Sequence, residues 1–308
     1  QKAQPDKASA VADQIMLKFP FSYYGLRARA EIGGKTLEWS AKKSTTEAKL
    51  WFTGAERIAW EKAQLLIRSG WIEEAQAELR ELPVPQRADE KALRAVIWAA
   101  AGGYGSASRL ANEAWDEKAE FRRPPFTDAA FPRVFDEAIA HEGKERKLDP
   151  DLIRGLIKQE SAFNVTAVST SNALGLMQMI PPTAKEIAQS LKMGTLELPK
   201  DLFDPKRNIK MGSFYLAQML NKYQGHVPLA LAAYNAGPTR MDRWVRARAS
   251  LKNLALSRSS APENEIWFDE IPYNETSLYV KAILRNLLLY KLLAEGRVEL
   301  SDPVWTTR

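Results

Sequence analysis

Glu160 is a carboxylate that lies in line with the apolar positions of a predicted helix. Asp149 and Pro150 predict where that helix begins, because Asp is a favoured N-cap residue and Pro is tolerated at the first helical position. The helical spacing of Ile153 and Ile157 continues to Glu160. Burial and the negative end of the helix dipole both favour a protonated carboxyl, so the pKa of Glu160 should be raised. The spacing therefore predicts a general acid.

Three further motifs follow Glu160 along the chain. These motifs decide how Glu160 is interpreted. Without them, the simpler interpretation would be that the side chain of Glu160 lies on a solvated side of the helix. The four motifs, in order, are Glu160-Ser161-Ala162-Phe163-Asn164, Gly175-Leu176-Met177-Gln178-Met179, Ala233-Tyr234-Asn235-Ala236-Gly237-Pro238, and Ile271-Pro272-Tyr273-Asn274-Glu275-Thr276 followed by Tyr279-Val280. Together they resemble the catalytic domain of the soluble lytic transglycosylases, a lysozyme-like family (glycoside hydrolase family 23) that cleaves bacterial peptidoglycan. The resemblance extends from Phe131 to Leu293.

The resemblance implies roles for particular residues. Glu160 is implied to be the sole catalytic acid and base. The residues implied to bind substrate in the cleft are Ser169, Met177, Gln178, Tyr234, Asn235 and Glu275. The sequence departs from the family's pattern at Ile180, where methionine is frequent, and at Ser277, where arginine is frequent. Neither position touches the expected acid, so these departures bear on sugar affinity and leave the reaction type unchanged.

The implied reaction needs only one well-placed carboxylate. Ordinary glycosidases use a second carboxylate to activate water or to attack the sugar. A transglycosylase works without it, because the C6 hydroxyl of N-acetylmuramic acid (MurNAc) attacks C1 once Glu160 has protonated the glycosidic oxygen. The expected enzyme is a lytic transglycosylase, a carbon–oxygen lyase that cleaves the β-1,4 bond from MurNAc to N-acetylglucosamine and leaves a 1,6-anhydromuramoyl end. We expect no cofactor and no metal, since the chain has no cysteine and two isolated histidines, His141 and His226.

Two alternatives stay open at the level of the sequence. A lysozyme-type hydrolase of the same fold would need a second carboxylate across the cleft, supplied by Asp201, Asp204 or Asp242. A non-catalytic scaffold would use the helical N-terminal half to recruit a partner, and its cleft would only bind glycan. The intact pair Glu160-Ser161 argues against the scaffold.

Composition bounds the class of protein and its partners. With 308 residues, 45% of them hydrophobic and 27% charged, the chain can form two globular domains. The net charge of +6 is spread evenly and accompanies no nucleic-acid motif, so we expect glycan strands of peptidoglycan as the partner and no nucleic acid. No apolar run could span a bilayer, and no signal peptide is visible at Gln1. With the resemblance, these features favour the bacterial periplasm.

Helical periodicity runs through the whole sequence, broken by glycine and proline clusters. The predicted fold class is all-α. Residues 1–125 are expected to form a helical-repeat, superhelical scaffold, as the C-terminal part of a longer superhelix. Residues 126–308 are expected to form a lysozyme-like, mainly helical catalytic domain. The boundary is placed in the stretch from Phe121 to Phe131, which contains two prolines and lacks a helical period.

Overall fold

The computed structural model describes residues 5–32, 36–39, 52–247 and 269–299. Its helices are α1 (Pro5–Lys18), α2 (Tyr23–Ile32), α3 (Gly54–Arg68), α4 (Ile72–Glu81), α5 (Ala88–Ala100), α6 (Tyr104–Glu117), α7 (Phe126–Ala130), α8 (Asp136–Arg146), α9 (Pro150–Ser161), α10 (Pro181–Ser190), α11 (Lys200–Phe203), α12 (Pro205–Lys222), α13 (Val227–Ala236), α14 (Pro238–Ala247) and α15 (Asn274–Glu295), with a 3-10 turn at Ala119–Phe121. The predicted all-α class is confirmed. Within the described part of the chain, none of the helices combines the length and the hydropathy needed to cross a membrane.

Two short strands pair antiparallel and were not predicted. Strand β1 (Thr36–Glu38) pairs with β2 (Arg297–Glu299), with Leu37 opposite Val298. Both of these side chains are buried. Three residues are too few for an alternating pattern to stand out from the sequence around them, so only the tertiary pairing defines these strands.

The described residues form two compact units. The first unit draws on Gln1–Trp39, Phe135–Glu160 and Val165–Arg308, and the second on Ser40–Val134 and Ser161–Asn164. The predicted division into 1–125 and 126–308 assigned the first 39 residues to the N-terminal scaffold, whereas the structure groups them with the first unit. They join the first unit because β1 pairs with β2, and because Nε of Arg285 on α15 donates to the carbonyl oxygen of Phe21 at 2.7 Å. Independent folding of 126–308 stays a prediction.

Within the second unit, helices pack as sequence neighbours. Helix α3 packs on α4, and α6 packs on both α5 and α7. The ring of Trp115 stacks on Phe131 with 5.9 Å between centroids. The hydroxyl of Ser108 donates to the carbonyl oxygen of Ala130 at 3.0 Å. Such local packing of sequence neighbours is compatible with the expected helical scaffold, which stays a prediction.

Helix α9 begins where the sequence predicted and packs closely on α15. Oδ1 of Asp149 accepts a hydrogen bond from the backbone N–H of Asp151 at 2.8 Å, which confirms the predicted cap. At Gly155 the two helices touch, since a Cβ there would lie 3.3 Å from the carbonyl oxygen of Ile283. Nδ2 of Asn286 donates to the Gly155 carbonyl oxygen at 3.2 Å. This contact fixes α9 against α15, which carries the last predicted motif.

The cleft loop (residues 165–180) is held in place by one buried amide. Asn208 on α12 is fully buried, and its Nδ2 donates to the carbonyl oxygens of Leu174 at 3.0 Å and Leu202 at 2.8 Å. Its Oδ1 accepts from the backbone N–H of Met177 at 2.8 Å. Of the two donor and two acceptor positions of this amide, all but one are thereby used in hydrogen bonds. Gly175 packs against the same side chain with φ of +77°.

We predict that Gly175→Ala lowers the free energy of unfolding of the first unit more than Gly194→Ala does. Both glycines have φ of +77°, but a Cβ at Gly175 would lie 2.1 Å from the carbonyl oxygen of Leu202, whereas nothing lies within 4 Å at Gly194. The backbone penalty of about 1 kcal/mol is shared by the two variants. The clash should add about 2 kcal/mol or more for Gly175→Ala alone. Urea unfolding of the two variants measures the difference, and equal midpoints would contradict the close packing.

Candidate active site

A cavity of about 570 Å³ in the first unit brings the predicted site residues together. Its walls come from the end of α9, the cleft loop, the start of α10, α12, the junction of α13 with α14, and the start of α15. The predicted residues that line it are Glu160, Ser169, Gln178, Tyr234, Asn235 and Glu275. Segments more than one hundred residues apart in sequence thus meet at one place.

Glu160 lies in the last turn of α9, open to the cavity but shielded from bulk water. Its pKa is raised to about 7, first because burial penalises the charged form. The negative charge of Glu275 raises it further, whereas a hydrogen bond from Tyr279 lowers it. The hydroxyl of Tyr279 donates to Oε1 of Glu160 at 2.5 Å. Near neutral pH both protonation states of Glu160 are therefore populated, as a group that acts as acid and then as base requires.

Ser169 presents a hydrogen-bond donor to the cavity. Its Oγ accepts from the backbone N–H groups of Ser171 at 3.2 Å and Ala173 at 3.0 Å. Both lone pairs of the oxygen are used by these two bonds, so the hydroxyl hydrogen is left for a ligand. The same bonds shape the turn that places Ser169 in the wall.

Gln178 leaves its amide oxygen free to accept a hydrogen bond, whereas Asn235 leaves its amide hydrogens free to donate. Nε2 of Gln178 donates to the carbonyl oxygens of Ala167 at 3.2 Å and Gly175 at 2.9 Å, which leaves Oε1 as an acceptor. Oδ1 of Asn235 accepts from the hydroxyl of Thr276 at 2.6 Å, which leaves the Nδ2 hydrogens as donors. One wall can thus accept and the other donate, a pairing that suits the hydroxyl and N-acetyl groups of an amino sugar.

A hydrogen bond joins Tyr234 to the backbone of Met177. The hydroxyl of Tyr234 donates to the carbonyl oxygen of Met177 at 2.8 Å. Its ring lines the cavity and lies 5.0 Å from the ring of Tyr215. The Met177 side chain is fully buried against Gly212 and is not among the described residues that line the cavity, so its contact with substrate stays a prediction. Tyr234 therefore ties α13 to the cleft loop.

The aspartates that a hydrolase would need are engaged outside the cavity. Oδ2 of Asp201 accepts from the backbone N–H of Glu197 at 2.8 Å, and Oδ1 of Asp204 caps α12. Asp242 forms an ion pair with Lys222 at 2.8 Å. None of the three aspartates is among the described residues that line the cavity. The carboxylate that shares the cavity with Glu160 is Glu275.

Tyr279, the direct hydrogen-bond partner of Glu160, had no role among the sequence predictions. The signal was present, since Tyr279 follows Glu275 by four residues, and residues with that spacing share one face of a helix. Tyr215 and Arg240, which also line the cavity, carried no signal of that kind. Their position depends on how α12 and α14 pack.

Residues 137–256 match the family model described as "Transglycosylase SLT domain". This segment belongs to the transglycosylase SLT domain family. The resemblance read from the motifs is thereby confirmed. The match to the SLT domain includes Glu160 and Tyr234 and ends before Glu275 and Tyr279.

Curated relatives of the SLT domain carry consistent names. The chain is 27% identical over 201 residues to the soluble lytic murein transglycosylase of Salmonella typhimurium, and 28% identical over 201 residues to that of Escherichia coli. Each alignment covers 65% of this chain and 28% of the relative. The aligned part of the chain therefore spans less than a third of the length of these relatives.

A solved structure shares the fold around the SLT domain. The crystal structure of the 70 kDa soluble lytic transglycosylase SLT70 from Escherichia coli matches with a TM-score of 0.73 at 21% identity. The match covers 98% of this chain and 44% of that chain. The predicted lysozyme-like helical fold is confirmed.

We predict that Glu160→Gln stabilises the chain at alkaline pH but not at acidic pH. The pKa of Glu160 is raised from 4.5 to about 7 on folding, so its contribution to stability is complete below pH 4.5 and is lost as the pH rises through 7. The stability of the variant relative to the parent should therefore increase by about 3 kcal/mol between pH 4 and pH 8.5. Chemical denaturation at the two pH values measures this difference.

The matched control for that measurement is Glu145→Gln. Glu145 is an exposed glutamate on α8, outside the cavity. Its substitution removes the same charge and should give the same stability difference at both pH values. A pH-independent effect of Glu160→Gln would contradict the raised pKa.

Proposed function

We propose that this chain is a peptidoglycan lytic transglycosylase that cleaves the MurNAc–GlcNAc β-1,4 bond without water and leaves a 1,6-anhydromuramoyl end. The observation that carries the proposal is a single shielded carboxyl, Glu160, whose pKa is about 7, in a cavity walled by amide and hydroxyl groups. The names of the curated relatives support murein as the substrate. The bacterial periplasm, where peptidoglycan lies, is the proposed location, and glycan strands are the proposed partner.

In the first step Glu160 acts as the acid. The protonated carboxyl donates to the glycosidic oxygen while the bond from that oxygen to C1 of MurNAc breaks. The electron pair of the bond leaves with the oxygen, and the N-acetyl carbonyl oxygen of MurNAc stabilises the positive charge at C1. Asn235 and Ser169 offer donors, and Gln178 an acceptor, that hold the ring in the distorted geometry that this step needs.

In the second step the Glu160 carboxylate acts as the base. It removes the proton of the C6 hydroxyl as O6 forms a bond to C1, which closes the anhydro ring. Glu160 is thereby protonated again, so no proton is gained or lost over the cycle. Tyr279 stays within a hydrogen bond of Glu160 and stabilises the ionised form between the two steps. Glu275 favours the protonated form before the first step.

We predict that Glu160→Gln abolishes cleavage of purified cell-wall sacculi. Glutamine keeps the shape of the side chain but has no acid proton, and loss of general acid–base catalysis alone costs about two to four orders of magnitude. Release of soluble muropeptides, followed by mass analysis, measures the rate and the product together. Glu145→Gln should cleave like the parent chain.

The products separate the proposal from both alternatives. Anhydro products are one water lighter than hydrolysis products, so hydrolysed ends would favour the lysozyme-type reaction with Glu275 as the second carboxylate. A folded parent chain that cleaves nothing would favour the non-catalytic glycan-binding scaffold. Near-normal cleavage by folded Glu160→Gln would remove Glu160 from its role.

We predict that Tyr279→Phe moves the alkaline limb of the pH–rate profile to higher pH and lowers the maximal rate. The lost hydrogen bond stabilised the carboxylate, so the pKa of Glu160 rises above about 7 without it. Loss of one charge-assisted bond should reduce turnover about tenfold. The measurement is kcat/KM for soluble glycan strands across the pH range.

The control for that profile is Tyr223→Phe. The hydroxyl of Tyr223 donates to Oδ1 of Asp242 at 2.9 Å, outside the cavity. In Tyr223→Phe the alkaline limb of the pH–rate profile should lie at the same pH as in the parent chain. A limb that moves to lower pH in Tyr279→Phe would contradict the role of the Tyr279 hydroxyl.

A further inference from the structure

Helix α9 ends in a turn whose side chains disfavour its backbone conformation. The helix ends at Ser161, and Ala162 and Phe163 then have φ of +46° and +64°. Glycine adopts this left-handed region freely, whereas in other residues the Cβ crowds the following carbonyl oxygen. The backbone N–H of Asn164 donates to the carbonyl oxygen of Ser161 at 3.0 Å and closes the turn. We refer to residues 161–164 as the left-handed turn.

The left-handed turn joins the proposed acid to the cleft loop. Glu160 directly precedes the turn, and the cleft loop, which carries Ser169, directly follows it. A change of φ at Ala162 or Phe163 would therefore alter the last helical turn of α9. None of the turn residues is among the described residues that line the cavity. The turn can thus act on the reaction only through the residues on either side of it.

The left-handed turn packs within the second unit, although Glu160 and the cleft loop belong to the first. Only 2% of the Phe163 surface is exposed. The ring of Tyr104, at the start of α6, meets the ring of Phe163 edge-on, with 6.2 Å between centroids. A Cβ at the neighbouring Gly105 would lie 3.6 Å from the Cβ of Ala162, an ordinary van der Waals distance. The start of α6 thus contacts both residues that have the disfavoured φ.

Two opposing contributions decide whether the turn keeps its form. Removal of the Phe163 ring from water stabilises the turn in proportion to the buried area, and the edge-on contact with Tyr104 adds to this. The positive φ of Ala162 and Phe163 destabilises it. If the packing were lost, both residues would favour negative φ, and the last helical turn of α9 would rearrange. Glu160 lies in that helical turn.

We propose that Tyr104 is a positioning residue for Glu160. It holds Phe163 and thereby keeps the left-handed turn in the form that directs the carboxyl into the cavity. This inference rests on the proposed function, and it assigns the second unit a part in the reaction. Tyr104 is itself not among the described residues that line the cavity, so it acts through the turn.

The test follows the Glu160 carboxyl directly in Tyr104→Ala. Carbon NMR titration of chains labelled at the glutamate carboxyl measures the pKa of Glu160, whose resonance is the one that Glu160→Gln lacks. Loss of the packing should admit water to the last helical turn of α9, so the pKa should fall from about 7 towards the ordinary value of 4.5. The alkaline limb of the pH–rate profile should move to lower pH, opposite to the direction expected for Tyr279→Phe.

The same variant should separate kcat from KM for soluble glycan strands. A misplaced acid should lower kcat about tenfold or more. KM should stay near its parent value, because Asn208 still fixes the cleft loop. Tyr104→Phe keeps the ring and should behave like the parent chain. Tyr104→Leu keeps apolar volume without the ring, should show smaller changes in the same directions, and decides the test if Tyr104→Ala does not fold.

Ala162→Gly should rescue Tyr104→Ala. Glycine adopts φ of +46° without the steric cost that alanine has there, so the turn needs less support from packing. In the double variant kcat should recover about threefold or more, and the pKa of Glu160 should return towards about 7.

The matched control is Phe126→Ala. Phe126 is buried in the second unit and meets Phe121 edge-on, with 5.2 Å between ring centroids. Its truncation removes a contact of the same kind and lowers stability, but it leaves Tyr104 and Phe163 in place. Both kcat and the pKa of Glu160 should stay at their parent values.

An unchanged pKa of Glu160 and an unchanged kcat in folded Tyr104→Ala would overturn the proposal. Equal changes in Phe126→Ala would attribute the effect to a general loss of stability and would also overturn it, as would a failure of Ala162→Gly to restore either quantity. Failure of the proposed function looks different. The parent chain would then leave sacculi uncleaved, while the NMR titration would still show whether Tyr104 holds Glu160 in place.

Discussion

The withdrawal of one carboxyl group from bulk water is the condition on which the site depends. Burial raises the pKa of Glu160 to about 7, and the field of Glu275 acts in the same direction. The hydrogen bond from Tyr279 opposes both and keeps the ionised form accessible. A residue that gives one proton and later takes another needs this balance, because either effect alone would favour one protonation state.

Maintaining that balance needs helices and a loop that do not move relative to one another. The close approach of α9 to α15 at Gly155 sets the distance from Glu160 to the residues of α15. The buried amide of Asn208 fixes the cleft loop, and the hydroxyl of Tyr234 ties the same loop to α13 through Met177. The polar bonds inside the first unit thus hold the cavity walls, while side chains with free donors and acceptors face inwards.

The cavity combines charged side chains with neutral amides. Glu160 and Glu275 line the cavity together with Arg240. A sugar ring needs hydrogen bonds rather than charge, and the amides of Gln178 and Asn235 can supply them.

The sequence by itself determined the helix that carries Glu160, its cap at Asp149 and the family of the SLT domain, because these features depend on residues close together in the chain. Only the tertiary structure decided which groups meet. Tyr279 bonds to Glu160 across 119 positions of sequence, and Met177 lies inside the fold rather than in the cavity. The pairing of β1 with β2 and the ion pair between Asp242 and Lys222 could likewise not be predicted from the sequence. Helical periodicity predicts which face of a helix is buried, but the partner on that face depends on packing between segments that the sequence does not bring together.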